Sequence, residues 1–411
     1  MPPPGLRPPP ANWPWAVVAA SLLLMIMGNG TLFVLTVSLK PIAETFDWPR
    51  EVPSLAYGLA SFGAGLGAIY LSHLSERIGM LPVLLFGSTM IGTGCILASF
   101  TAAPWQLYAA YGLCIGLLGN AAMISPLMAN ATRWFDRRRG LAIAIVASGQ
   151  SGAGTLWPPF IRLMNDWYGW RTTFLYYGIL CLAVMLPLTL VFRRGPPDDA
   201  PPLTTASGEP AKPARVLGWP SWAVQGTLCA AIMGCCIAMA MPITHMVAFA
   251  TDLGHPAARG AEVLSTMLAA SIVSRLVSGL LADRIGGLRT LLIGSTIQAT
   301  MLTVLAFTES LLSLYFVAAL FGIGYGGIIP MYAFAVREYF PVRGIARRIA
   351  IVMFFGLLAM AIGSWTGGYV YDQTGSYRAA FLVGAAANLC NLVLLVLLVS
   401  RTRLFPAPAA A

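Results

Sequence analysis

One arginine, Arg275, lies inside a long apolar segment, where a charged side chain is costly. The segment ends in a charged turn, Asp283-Arg284, followed by Gly286. At about 1.5 Å of helical rise per residue, the spacing from Arg275 to Asp283 puts the guanidinium roughly 12 Å from that turn. This is near the middle of a hydrocarbon core about 30 Å thick. Because arginine stays protonated, we expect Arg275 to bind an anion, although it can instead extend to the interface or pair with a backbone carbonyl.

Composition indicates which elements must carry this arginine. The chain has 411 residues, of which 58% are hydrophobic and 10% charged, with a mean hydropathy of +0.76. Soluble domains carry about 25% charged residues, so this composition predicts a polytopic membrane protein. A separate apolar segment that crosses lipid can satisfy its own backbone hydrogen bonds only as a helix. Twelve spanning segments are predicted, near 14–39, 51–72, 80–101, 104–132, 139–164, 171–192, 221–249, 260–282, 288–308, 310–335, 344–370 and 378–400.

The positive charges predict the orientation of these helices. With the N-terminus inside, eighteen Lys and Arg residues fall in cytoplasmic segments. Six fall outside: Lys40, Arg50, Arg162, Arg171, Arg259 and Arg378. This bias places both termini in the cytoplasm, and the net charge of +10 then reflects topology rather than nucleic-acid binding.

The two halves of the chain repeat one another at an offset of about 205 residues. Glu76-Arg77-Ile-Gly returns as Asp283-Arg284-Ile-Gly, and Asp166 to Arg171 returns as Asp372 to Arg378. Parallel repeats of six helices are typical of transporters with a site between the halves, near the middle of the membrane. We therefore expect an N-terminal tail over 1–13, a first half over 14–192, a flexible cytoplasmic linker over 193–218, a second half over 219–400 and a C-terminal tail over 401–411.

Polar residues that break this repeat are candidates for contacts with the anion. In the repeat, Asn120 of the first half corresponds to Gly324 of the second, and Tyr325 of the second half corresponds to Ala121 of the first. Further candidates are Asn29, Gln150, His245 and, as an apolar wall, Phe354. For the polar candidates, hydrogen bonding between helices is an equally good explanation.

The acidic-Arg-x-Gly turns at Glu76-Arg77 and Asp283-Arg284 resemble the signature loop of the major facilitator superfamily. In that loop the acid can face a neighbouring helix N-terminus. We expect both turns to act in gating.

A narrower resemblance surrounds Arg275. Pro242 to Gly254, followed by Ser274 to Asp283, resembles the monocarboxylate transporter family and its bacterial relatives, which include oxalate/formate-type antiporters. Arg138-Arg139-Gly140 is similar to that family's entry into its fifth helix. The resemblance implies the major facilitator fold and a substrate carboxylate bound by Arg275, with transport often coupled to protons.

Two differences from that family bear on proton coupling. Many animal members have an aspartate one turn before the arginine, where this chain has Ser271, and a lysine in the first helix, where Met27 to Val37 has none. If protons are transported, His245 is the natural titrating group, because it is the membrane-embedded histidine with a pKa near neutrality. A structural, hydrogen-bonded histidine is the alternative.

These observations together predict an all-α carrier of a small organic monocarboxylate in a bacterial inner membrane, coupled to protons. An anion exchanger and a non-transporting carboxylate sensor are the alternatives. Enzyme function is not expected, because clustered His, Asp or Cys ligands and nucleophile–base pairs are missing from the sequence at mid-depth. We expect the carboxylate, protons and the lipid bilayer as partners, no metal, cofactor or nucleic acid, and a monomer to suffice.

Overall fold

The computed structural model describes residues 12–132, 134, 139–194, 215–340 and 345–404. Most of the predicted N-terminal tail, the linker between 195 and 214 and the C-terminal tail from 405 lie outside the described residues. Arg138, in the predicted entry to the fifth helix, and the side chain of Glu76 also lie outside them.

The described chain is almost entirely helical. Its helices are α1 (Trp13–Phe46), α2 (Glu51–Ile78), α3 (Met80–Ser99), α4 (Pro104–Tyr108), α5 (Ala121–Met123), α6 (Ser125–Thr132), α7 (Arg139–Thr189), α8 (Ser221–Asp252), α9 (Ala257–Ile285), α10 (Gly287–Leu305), α11 (Leu311–Tyr325), α12 (Ile328–Tyr339), α13 (Ile345–Thr374) and α14 (Tyr377–Leu404). A π-helical segment, Ala109–Asn120, joins α4 to α5, and a 3₁₀ turn, Leu190–Arg193, follows α7.

Within the described residues, eleven helical stretches are long and apolar enough to cross a membrane. The predicted fifth and sixth spans both fall in α7, which is interrupted at Gly169, where φ is 75° and ψ is 163°. Gly375, its predicted repeat partner, also has a positive φ, of 68°. Glycine adopts such values without the steric cost of a Cβ atom. One element therefore carries two predicted spans, and the count of twelve stays a prediction.

A short hairpin is the exception to the predicted all-helical fold. Strands β1 (Arg215–Val216) and β2 (Trp219–Pro220) are antiparallel, and both residues of the turn between them have positive φ, 52° at Leu217 and 75° at Gly218. Leu-Gly is not one of the dipeptides that mark a two-residue hairpin, which explains why the sequence did not predict it. The end of the predicted flexible linker is therefore ordered.

The chain divides into two compact units. The first comprises Met1–Trp48 and Val52–Pro202, and the second comprises Pro49–Glu51 and Leu203–Ala411. The turn Pro49–Glu51, between α1 and α2, thus belongs to the second unit by its contacts.

One arginine in each unit binds carbonyl oxygens at the end of a helix. Arg171 donates to the Ser99 and Thr101 carbonyl oxygens at 2.8 and 2.9 Å, where α3 ends. Its predicted repeat partner, Arg378, donates from Nε to the Ala306 carbonyl oxygen at 3.1 Å, where α10 ends. Cations are stabilising at helix C-termini, whose last carbonyls lack partners within the helix. These arginines therefore serve the fold.

Candidate functional site

In the second unit, Arg275 on α9 and Tyr325 on α11 are close enough for the guanidinium and the phenol to interact electrostatically. The neighbouring Ser274 holds the two helices together. Its Oγ donates to the Ile323 carbonyl oxygen at 2.6 Å and accepts from the Gly327 amide at 3.2 Å. Tyr325 is buried and Arg275 is partly exposed. A cation and a hydroxyl thus meet at the contact between α9 and α11, which is a suitable pair of groups for one carboxylate.

His245 on α8 is fully buried, and both of its ring nitrogens have contacts. Nε2 lies 3.0 Å from the Ser364 carbonyl oxygen of α13, and Nδ1 lies 3.2 Å from Tyr377 Oη of α14. A Cβ atom at Gly367 would come within 2.6 Å of Nε2, so α13 packs directly against the ring. The predicted titrating group is therefore held by α13 and α14.

The sequence did not single out Arg50, which the structure places beside Tyr377. Its guanidinium binds both carboxylate oxygens of Asp252, with Nη2 at 2.9 Å from Oδ1, and Nη1 donates to Tyr377 Oη at 3.1 Å. It also lies over the Tyr371 ring, 3.9 Å from the centroid. Burial lowers the pKa of Arg50, but the bonds to Asp252 and Tyr377 outweigh burial and leave its pKa above the ordinary value.

Asp372 on α13 binds the backbone of the same turn. Its two carboxylate oxygens accept from the amides of Arg50 and Glu51 at 2.9 and 2.8 Å. These amides lie at the start of α2, where backbone N–H groups lack helical partners and favour an anion. One clue was available in the sequence. The predicted spans place the cation Arg50 on the same side of the membrane as the anions Asp252 and Asp372.

In the first unit, the predicted amides differ in their surroundings. Asn120 is buried, its Oδ1 makes no hydrogen bond to any of the described residues, and that oxygen would lie 2.9 Å from a Cβ atom at Gly28 of α1. Asn29 is also buried, and its Nδ2 donates within α1 to the Met25 carbonyl oxygen at 2.9 Å. Gln150 on α7 is exposed. Asn120 therefore has an available acceptor, whereas the amide group of Asn29 is already used within its own helix.

Three aromatic side chains bind main-chain carbonyls in the middle of α1, and the sequence did not predict this role. The bonds run from Trp157 Nε1 to Ile26 at 3.0 Å, from Tyr177 Oη to Met27 at 2.8 Å and from Tyr111 Oη to Thr31 at 3.0 Å. They position the part of α1 that carries Asn29 and lies against Asn120.

Of the predicted gating residues, Arg77, Asp283 and Arg284 are exposed. The glycines after the two turns have nearly the same backbone conformation, with φ of 90° at Gly79 and 88° at Gly286. The expected acid at a helix N-terminus is present in the second unit, but it is a different residue.

Glu338 on α12 accepts from the Gly287 amide at 2.9 Å, at the start of α10.

Phe354 on α13 is half-buried and packs edge-on against Phe355, with ring centroids 6.0 Å apart. Within the described ranges, no group of three or more His, Cys, Asp or Glu side chains is placed to hold a metal ion.

Comparison with known proteins identifies the family. The family model for the Major Facilitator Superfamily matches residues 18–261 and 226–410. Monocarboxylate transporter 13 of Rattus norvegicus is 26% identical over 95% of this chain and 90% of its own length. Monocarboxylate transporter 11 of Homo sapiens is 26% identical over 94% of this chain and 83% of its own length.

The fold also resembles a solved structure. A bacterial homologue of the human lysosomal transporter Spinster, in an inward-facing and occupied conformation, aligns with a TM-score of 0.70. It is 16% identical and covers 96% of this chain and 97% of its own, so it supports the fold alone. The predicted resemblance to monocarboxylate transporters is confirmed, and the protein is a multi-pass membrane transporter rather than an enzyme. The chain belongs to the Major Facilitator Superfamily.

Proposed function

We propose that this protein is a secondary active transporter of a small organic monocarboxylate that works by alternating access with proton symport. The observation that carries the proposal is Arg275, a permanent cation in a membrane-spanning helix next to the Tyr325 hydroxyl. A guanidinium binds a carboxylate through two parallel hydrogen bonds, and a phenol can donate a third. The monocarboxylate transporters to which the chain is similar support this class of substrate.

Charge balance favours a monoanion as the substrate. One carboxylate bound to Arg275 makes a nearly neutral pair, which crosses an apolar barrier at less cost than the free cation. Asn120 is proposed to orient the substrate, with lesser contributions from Asn29, Gln150 and Phe354.

Proton coupling is assigned to His245, and gating to the turns at Glu76-Arg77 and Asp283-Arg284. His245 is a fully buried group of a membrane-spanning helix that can take up a proton. We further propose a bacterial cytoplasmic membrane as the location. The distribution of Lys and Arg supports a cytoplasmic position for both termini.

An anion exchanger is the second candidate. The observation that favours an exchanger is that both ring nitrogens of His245 already have hydrogen-bond partners within the protein. An exchanger needs only the fixed cation and two alternative carboxylates. Its requirement for a counter-anion distinguishes it from a symporter, and binding without transport would indicate a carboxylate sensor.

The test is uptake of radiolabelled lactate, pyruvate and other small carboxylates into proteoliposomes, with and without an inward proton gradient and an internal counter-anion. The variants are Arg275→Ala and Arg275→Lys. The matched control is Arg259→Ala, which removes an arginine from the exposed first turns of the same helix.

We expect uptake to be driven by the gradient and to be lost in Arg275→Ala. Arg275→Lys keeps the charge but not the bidentate geometry, so its KM should rise about tenfold or more. Arg259→Ala should transport like the parent. Uptake that needs a counter-anion and ignores the gradient would make the protein an exchanger, and normal uptake by Arg275→Ala would refute the site.

A further inference from the structure

His245, Tyr377 and Arg50 form a chain of hydrogen bonds whose donor directions can be assigned. The Ser364 carbonyl oxygen can only accept, so Nε2 of His245 carries a hydrogen. In the neutral ring Nδ1 is then an acceptor, and Tyr377 donates its hydroxyl hydrogen to it. The Tyr377 oxygen in turn accepts from Arg50 Nη1, whose guanidinium is held by Asp252. In this arrangement of neutral His245, the Nε2 hydrogen, the Tyr377 hydroxyl hydrogen and the Arg50 Nη1 hydrogen that faces Tyr377 each have an acceptor.

We propose that Nδ1 of His245 is the proton-binding atom, and that Tyr377 and Arg50 are positioning residues through which proton binding and the docking of the turn Pro49–Glu51 oppose each other. The proposal rests on the proposed function in taking His245 as the proton site. When Nδ1 gains a proton it must donate, and the atom that faces it is the Tyr377 oxygen to which Arg50 already donates. Two cationic donors then converge on one phenol oxygen, and the phenol hydrogen has lost its acceptor. Protonation therefore weakens the bond between Arg50 and Tyr377, and by linkage Arg50 opposes protonation.

The other groups around His245 leave Tyr377 as the contact through which protonation acts. From α13, Ser364 presents a carbonyl oxygen and Gly367 has no side chain. The charged and titratable groups of the described residues that lie beyond Tyr377 are Arg50 of the turn, Asp252 of α8, and Tyr371 and Asp372 of α13. The two carboxylates hold Arg50 through its side chain and its backbone, so the cation stays beside Tyr377.

The predicted internal repeat supports a special role for this cluster. Arg259 stands near the position that corresponds to Arg50, and it binds Glu262 in its own helix at 2.8 Å. Asp166 corresponds to Asp372, and it pairs with Arg162 one turn away. Both of these pairs are local, whereas the Arg50 turn is held by residues more than two hundred positions away.

The first experiment is solid-state NMR of the full chain in liposomes with ¹⁵N-labelled histidine. The sequence contains three histidines, so comparison with His245→Gln assigns the His245 resonances. The ¹⁵N shifts report which nitrogen carries the hydrogen and at what pH the ring becomes doubly protonated. The variants are Arg50→Gln, Tyr377→Phe and the matched control Arg259→Gln.

We expect His245 to be neutral at neutral pH, with its hydrogen on Nε2. Arg50→Gln should move protonation to higher pH by about one unit, a tenfold change that is typical of one hydrogen bond to a charged donor. Tyr377→Phe removes the oxygen that faces a protonated Nδ1, so it should move protonation to lower pH. Arg259→Gln should leave it unchanged. A hydrogen on Nδ1, an unchanged midpoint in Arg50→Gln, or an equal shift in Arg259→Gln would overturn the proposal.

Hydrogen–deuterium exchange measures the turn directly. After correction for intrinsic rates, the amides of Arg50 and Glu51 should lose about tenfold of their protection below the His245 midpoint, and His245→Gln should abolish this pH dependence. Retention of the pH dependence in His245→Gln would refute the proposal. Neither experiment needs a substrate, so a failure of carboxylate transport and a failure of this proton site give separate results.

Discussion

Asp372 and Asp166 are predicted repeat partners, and their replacement by asparagine should have very different costs. Asp372 accepts two backbone amides, from Arg50 at 2.9 Å and Glu51 at 2.8 Å. Hydrogen bonds to a charged group contribute about 1.5–3 kcal/mol each, and an anion at a helix N-terminus adds about 0.3–1 kcal/mol. In Asp372→Asn the carbonyl oxygen can keep one amide while the new NH₂ group faces the other. We therefore expect a local loss of about 2–3 kcal/mol.

The control variant, Asp166→Asn, removes one partner of an exposed ion pair within a helix. Such pairs contribute about 0.3–0.5 kcal/mol, so the change should be within about twofold in any local opening equilibrium. Hydrogen–deuterium exchange resolved to peptides should show amides 50 and 51 exchanging roughly 30- to 150-fold faster in Asp372→Asn than in the parent. If both variants change these amides equally, or neither does, Asp372 does not anchor the turn and the assignment is wrong.

Three further variants test the two units. Gly367→Ala places a Cβ atom 2.6 Å from Nε2 of His245, so chemical denaturation should show a free energy of unfolding lowered by about 1–3 kcal/mol. In the control Gly226→Ala the added Cβ atom meets no atom within 4 Å, so the same assay should show no destabilisation. Tyr325→Phe removes one proposed donor to the carboxylate, and uptake kinetics should show a KM raised about tenfold with the maximal rate little changed. Trp157→Phe removes the hydrogen bond from Nε1 to the Ile26 carbonyl oxygen of α1, so the protein should lose about 1 kcal/mol of stability and the midpoint of thermal unfolding should fall. An unaltered midpoint would show that this bond does not stabilise α1.

Most of the fold follows from the sequence because spanning helices depend on little else than length and hydropathy. Lipid offers no partner for a backbone N–H group, so an apolar stretch of about twenty residues has one available conformation. The repeat extends to local detail, since Gly169 and Gly375 have the same kind of positive φ. The hairpin at Arg215 to Pro220 escaped prediction because its turn residues, Leu217 and Gly218, are not a typical pair.

The candidate site was harder to predict because its contacts join residues distant in sequence. Arg275 was identifiable alone, since a charge within an apolar helix has few explanations. Arg50 looked like an ordinary loop charge until Asp252 and Asp372 were placed around it. Burial and donor direction at His245 likewise depend on α13 and α14, which hydropathy cannot place.

Three ionisable residues of the second unit stand where the first unit has neutral ones. An offset of 207 residues relates three pairs: Ser38 and His245, Thr45 and Asp252, and Trp170 and Tyr377. In the first unit, Trp170 Nε1 donates to Thr45 Oγ1 at 3.0 Å, and Ser38 Oγ accepts from Asn165 at 2.9 Å. Neutral donors and acceptors therefore suffice to join these helices, and packing does not require a histidine or an aspartate there.

What the second unit adds is a group that can change its protonation state beside a permanent cation. A partly buried ion pair such as Arg50 and Asp252 costs some desolvation and contributes little stability beyond what neutral groups give, so its presence at one of two equivalent places needs another reason. Coupling of a proton to the position of a turn is such a reason, since it requires a titratable group, a fixed charge and a shared hydrogen-bond acceptor. His245, Arg50 and Tyr377 supply these three parts in one continuous chain of contacts.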